Sequence, residues 1–279
     1  MTFRSIFVHL DDSQQSELTL DAALRLARHY PAELDGGYLV PTREMTPMTS
    51  AFLPSDLVEA RMRATADAQA AAESKFRKAA AAAGVKSIRW VAPAGDPVDA
   101  AVVQARYSDL AVVSQPPRED RAGAFANELV NAVIMDSGRP VLVVPFIGAG
   151  KTLGERVLIA WKDSRESARA VDDALPLLKD AKAVQVLAVT PRDDESVRDH
   201  VTDLAVEGFL RRHNVTATVR RTVAPDIQAG EFLLSRAADF GADLIVMGGY
   251  SRPRLSRLVW GGVSKLMLDS MTVPVFMSH

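Results

Sequence analysis

Two kinds of segment alternate along the chain. Short, near-continuous runs of Val, Ile and Leu are separated by longer stretches in which apolar residues recur every three or four positions. In the second half the runs are "RVLIAW", "AVQVLAV", "TATVRRTV", "DLIVMGG" and "VPVFMS", and they read as strands. Between them "SRESARAVDDALPLL", "VRDHVTDLAVEGFLRRH", "AGEFLLSRAADF" and "RLVWGGVSKLMLDS" read as amphipathic helices. Strands apolar on both sides and spaced by helices predict a parallel sheet covered on both faces. In the first half "DLVEARMRATADAQAAAESKFRKAAAAAG" predicts one long packing helix, alanine-rich and charged on one face.

The pattern is written twice. Residues 6–24, "IFVHLDDSQQSELTLDAAL", lie over 157–175, "VLIAWKDSRESARAVDDAL", with Asp12/Asp163, Ser13/Ser164, Ser16/Ser167 and Asp21/Asp172 coinciding. "SDLAVVS" (108–114) matches "ADLIVMG" (242–248), and "RPVLVVPF" (139–146) matches "VPVFMSH" (273–279). The offset is 151 in the first match and 134 in the others, so the first half holds about 17 extra residues, assigned to a surface loop at 41–57, "PTREMTPMTSAFLPSDL". The reading is α/β: two tandem doubly wound domains, 1–147 and 154–279, each a five-stranded parallel sheet with helices on both faces. In such sheets a ligand sits beyond the carboxyl ends of the strands, where strand order reverses.

Composition narrows the function. The formal net charge of -2 argues against a general nucleic-acid or anionic-membrane binder. The absence of cysteine removes disulfides, thiolate metal sites and cysteine nucleophiles. No apolar run approaches the roughly 18 residues of a membrane span, and the N-terminal run ends at Asp11 and Asp12, too short for a signal peptide. A cytoplasmic protein is expected. His9, His29, His200, His213 and His279 show no metal spacing, and no nucleophile elbow precedes a helix, so no catalytic or metal residue is assigned. His9, inside an apolar strand, reads as a core residue or pocket liner.

Two stretches invite a phosphate. "GAGKT" (148–152) looks like the end of a Walker A loop, but the first glycine position is Pro145 and a strand follows Thr152 where a helix is needed, so it reads as an interdomain linker. "MGGYSRPRLSRLVWGGVSKLML" (247–268) follows a strand, passes Arg252, Arg254 and Arg257, and ends on glycines that open a helix. Backbone N–H groups at that helix start, with the Ser264 hydroxyl, suit a phosphate.

The stretch "GADLIVMGGYSRPRLSRLVWGGVSKLMLDSMTVPVFMSH" resembles the C-terminal end of a universal stress protein (UspA-like) domain, and "VLIAWKDSRESARAVDDALPLL" its beginning. The resemblance covers both halves. It implies the adenine nucleotide alpha hydrolase-like fold and a nucleotide motif, Gly-x2-Gly-x9-Gly-Ser/Thr, that holds ATP in nucleotide-binding members. Carried over residue by residue, Gly248 and Gly261 match the first and third glycines. Ser251 stands at the second, and Gly262 replaces the Ser/Thr, with Val263 and Ser264 completing the helix start. Lys162 replaces the strand-1 aspartate, and Val189 occupies the position whose backbone meets adenine. Asp163 and Ser164 are expected to cap the next helix.

In the first half Ser114, Pro117, Asn127 and Glu128 stand at the motif positions, and Glu128 sets a negative charge where phosphate would lie. Asp11 keeps the strand-1 aspartate as a turn residue. The resemblance therefore implies ATP or AMP, with Mg, in the C-terminal domain alone, where occupancy would order the 249–260 loop and alter a partner surface. It also implies an intrachain pseudo-dimer pairing strands near 140–146 and 273–278, a homodimer and protein partners. The expected role is stress-responsive binding or regulation. The alternative is a nucleotide-free interaction protein with a retired site, and a slow ATPase ranks last because no general base is visible.

Overall fold

The computed structural model describes residues 2–40, 55–92, 95–117, 121–190, 197–223, 229–249 and 262–279. The first half runs β1 (Ser5–Leu10), α1 (Gln14–His29), β2 (Glu33–Tyr38), α2 (Ser55–Ala83), β3 (Ile88–Val91), α3 (Pro97–Arg106), β4 (Leu110–Ser114), α4 (Arg121–Asp136) and β5 (Val141–Val144). The second runs β6 (Arg156–Trp161), α5 (Arg165–Asp173), α6 (Leu175–Asp180), β7 (Ala183–Thr190), α7 (Val197–Arg212), β8 (Ala217–Val223), α8 (Ala229–Phe240), β9 (Leu244–Gly248), α9 (Gly262–Ser270) and β10 (Val275–Ser278).

The strands form one sheet of order β3-β2-β1-β4-β5-β10-β9-β6-β7-β8. Within each half every neighbour is parallel, and strand order reverses between β1 and β4 and again between β6 and β9. The halves meet where β5 and β10 pair antiparallel, with Val141, Leu142 and Val143 opposite Met277, Phe276 and Val275. All six are at most 1% exposed, so neither strand presents a free apolar edge. One core layer packs α1, α2, α5, α6 and α7 on one face of the sheet; the other packs α3, α4, α8 and α9 on the opposite face. Both layers run through the two halves.

Local chemistry explains the helix ends. Ser13 and Ser164 cap α1 and α5, each accepting a hydrogen bond from the backbone N–H three residues on. Asp96 caps α3, which opens on Pro97. The single helix expected over 164–178 is instead two, joined at Ala174. Pro176 has no N–H with which to continue the ladder, so α5 ends and α6 begins there. Ser55, Asp56 and Leu57, placed in a loop by the sequence, open α2; the remaining loop positions, 41–54, lie outside the described residues.

The "GAGKT" stretch is the connection between β5 and β6. Gly148 and Gly150 take positive φ, 79° and 63°, and Arg25 donates to the carbonyls of Gly150 and Lys151 at 2.7 and 3.3 Å. No helix follows, and backbone carbonyls of the stretch are held by a cation. It is a linker. Three further ties join the halves. Gln115 donates to the Leu268 carbonyl at 2.7 Å, and Arg169 to that of Gly138 at 3.1 Å. His29 and Tyr30 both meet Asp180, at 2.9 and 3.0 Å.

Candidate functional site

The strand order reverses between β6 and β9, and the carboxyl edge at that reversal is where sheets of this kind commonly meet ligands. Trp161 ends β6 beside Ala188, which places Lys162 next to the Val189 backbone, and Gly248 ends β9 opposite Ser278 of β10. Thus β6, β7 and β9 bring Lys162, Val189 and Gly248 to one edge. Lys162 is exposed, and its backbone N–H lies 3.4 Å from the Ser167 hydroxyl. Helix α9 is described from Gly262, an exposed residue with open space on its Cβ side. Val263 packs against the core layer of α8 and α9, and Ser264 is buried, 5% exposed. Ser251 and Gly261 lie outside the described residues, as do Arg252, Arg254 and Arg257.

Gly248 has a packing reason of its own. A Cβ there would sit 2.7 Å from the Glu166 carbonyl carbon and the Ser167 nitrogen, and 2.9 Å from the Glu166 Cβ. Backbone cannot yield as a flexible side chain would, so the close approach of α5 to the end of β9 demands glycine with or without a ligand. The same contact brings in a residue that sequence reasoning passed over. Glu166 is buried in the first turn of α5 and pairs with Arg165. Burial works against its ionisation, but the Arg165 guanidinium, the Ser164 hydroxyl and its own backbone N–H outweigh that and hold the carboxyl below the usual range. Its repeat partner is Gln15, which donates to the Val144 carbonyl at 3.1 Å, so the exchange of amide for carboxylate was visible in the aligned repeats.

The matching edge of the first half is filled by its own side chains. Ser114, at the position of Gly248, shares a 2.8 Å hydrogen bond with Thr19 of α1, whose repeat partner is the smaller Ala170. Asp11 accepts from the backbone N–H of Ser13 at 2.9 Å and from the Ser13 hydroxyl, which makes it a turn residue. Pro117 accepts from the Asn127 side chain at 3.4 Å. Helix α4 is described from Arg121, so Glu128 lies at least about two turns inside it. The backbone N–H of Glu128 is therefore used inside the helix. His9 is a core histidine: it is buried, and its Nε2 donates to the Leu39 carbonyl at 2.7 Å. Desolvation lowers its pKa against the opposing pull of Asp11 and that carbonyl, so the neutral ring is the native form.

Chemically, the second-half edge offers an exposed lysine, the Val189 backbone and an exposed glycine of α9. Among the described residues no group of three His, Asp or Glu could hold a metal ion. No described helix is long and apolar enough to cross a membrane.

Comparison with known proteins agrees with this architecture. The model of the universal stress protein family matches the chain twice, over residues 2–145 and 154–279. A search of curated proteins found no match. Among solved structures, a universal stress protein from Archaeoglobus fulgidus is 16% identical with a TM-score of 0.74, over 98% of this chain and 95% of its own. A functionally unknown protein from Pseudomonas aeruginosa is 15% identical with a TM-score of 0.59, over 99% and 92%. The cytoplasmic domain of a prokaryotic cation chloride cotransporter shares the fold at 12% identity and a TM-score of 0.54, over 98% and 94%. At these identities the solved structures speak to fold, while the two family matches cover nearly the whole sequence. The chain belongs to the universal stress protein family.

Proposed function

We propose that the protein is a non-catalytic, stress-responsive regulatory protein of the cytoplasm that holds one adenine nucleotide, ATP or AMP with Mg, in its second half alone. The domains are 1–147 and 154–279. The observation that carries this reading is the convergence at one carboxyl edge of an exposed Lys162, the Val189 backbone and Gly248, brought together by β6, β7 and β9, while Gly262 of α9 is exposed with open space on its Cβ side where the first half carries the carboxylate of Glu128. Lys162, exposed at the end of β6, supplies a cation to the same edge, and the Val189 backbone supplies hydrogen-bonding groups for a base. Self-association of whole chains would need a surface other than β5 and β10, which the halves already cover in each other.

The test is calorimetric titration of Mg-ATP into the full chain and into Gly262→Glu. The open space at Gly262 admits a side chain, so the variant folds. Placed against a phosphate, the same carboxylate abolishes binding. The second reading, an interaction protein with a retired nucleotide site, is favoured by one observation: packing against α5 accounts fully for Gly248. Under that reading neither protein gives heat with Mg-ATP.

A further inference from the structure

A separate recess lies on the α8 side of the sheet, between edge strand β8, its neighbour β7 and helix α8. Its volume is about 430 Å³. Arg220 of β8 and Arg236 of α8 line it from strand and helix, and Arg221 borders it as well. The one carboxylate in the lining is Asp239, 3.4 Å from Arg236. Arg236 also stacks over the Phe232 ring at 5.0 Å, which steadies its guanidinium. Arg220 has no ion pair with any described residue. Gln185, in the wall, is 9% exposed, and its amide makes no hydrogen bond with a described residue. A buried amide with unused donors beside arginines is an arrangement that an oxyanion completes.

The first half shows what the same place in the fold looks like when it is closed. Asp35 pairs with Phe7 across β2 and β1 as Gln185 pairs with Leu158 across β7 and β6. Arg89 of the edge strand β3 grips the buried Asp35 with two nitrogens, Nε to Oδ1 at 2.9 Å and Nη2 to Oδ2. In the second half the acid has become an amide, and cations stand on two walls of the recess. Charges on an edge strand also deter strand pairing, but that role needs neither a second arginine on a facing helix nor a buried amide beneath.

We propose that this recess binds a phosphate group, free or on a small sugar, at a site independent of the nucleotide site proposed above. The Arg220 and Arg236 forks and the Gln185 amide donate to the phosphate oxygens. Leu187 and Phe240 give apolar surface to the organic part, and Asp239 holds Arg236 in position.

The experiment is calorimetric titration of the full chain with ribose 5-phosphate, inorganic phosphate and ribose at constant ionic strength. Ribose 5-phosphate gives saturable binding and ribose gives none. Inorganic phosphate binding as tightly identifies the free anion as the ligand, and weaker binding identifies the ester. Arg220→Ala, Arg236→Ala and Gln185→Leu each weaken the affinity about tenfold. Arg220→Lys, which keeps the charge and loses the fork, weakens it less, and thermal melting confirms that each variant is folded. Gly262→Glu leaves this binding unchanged, which separates the recess from the nucleotide site. Absence of saturable binding up to about 10 mM ester, or binding that survives both arginine-to-alanine changes, overturns the proposal.

Discussion

The two carboxyl edges of this sheet descend from one pattern and end differently. In the first half, Ser114 and Thr19 share a hydrogen bond, Gln15 reaches the Val144 carbonyl, and Glu128 lies within α4. In the second half, the residues at those positions are Gly248, Ala170 and Glu166, and Gly262 stands in α9 in place of Glu128. The described side chains of the first edge bond to one another and to backbone; the second edge carries an exposed lysine and an exposed glycine. Polar groups at the end of a parallel sheet can thus be satisfied by side chains in one half and left to other partners in the other without changing the fold. The pair at Asp35 and Arg89, set against Gln185 and Arg220, repeats the lesson on another part of the sheet.

This comparison can be broken by exchanging residues between the edges. The largest effect is expected at Gly248. Gly248→Val drives a side chain into the backbone of α5 and lowers stability by about 3 kcal/mol, measured by urea unfolding. A neutral result would mean that α5 is free to move and that the packing account of this glycine is wrong. Next comes Gln115→Leu, which removes the bond to the Leu268 carbonyl and the 3.0 Å bond accepted from the Phe146 N–H. It costs about 2 kcal/mol. It also loosens the seam, so hydrogen exchange rises along β5 and β10 together, whereas a rise confined to one strand contradicts the shared-seam view.

His9 gives a pH-dependent difference between the halves, because its repeat partner is Ala160. Its folded pKa is lowered, so the unfolded chain takes up the proton first. The stability due to neutral His9 is complete above about pH 6.5 and falls by up to about 1.4 kcal/mol per pH unit below it, until the native ring titrates. His9→Gln flattens this slope in denaturation curves taken across that range; an unchanged slope would assign the acid sensitivity to other groups. The smallest effect is expected for Ser114→Gly, which breaks the hydrogen bond to Thr19 and costs about 1 kcal/mol without opening a ligand site, since Glu128 still lies within α4.

Much of the fold was legible because buried parallel strands and amphipathic helices write their periods directly into the chain. The repeat offsets located the two halves, and the run "VPVFMS" marked a strand that now seals against β5. The break at Ala174 was signalled by Pro176, but the strong apolar period on either side masked it. The site was less legible. A glycine demanded by backbone contact with α5 and a glycine demanded by a phosphate look identical in sequence, so Gly248 fitted both. Glu166 escaped notice because its burial depends on the tertiary approach of α5 to β9 and β10.

The most direct test of the central claim is native mass spectrometry of the full chain in Mg-ATP, beside Gly262→Glu and Glu128→Gly. The account predicts one adenine nucleotide per chain, lost in Gly262→Glu and kept, still one, in Glu128→Gly. No adduct in the unmodified protein, or an adduct that survives Gly262→Glu, would contradict it.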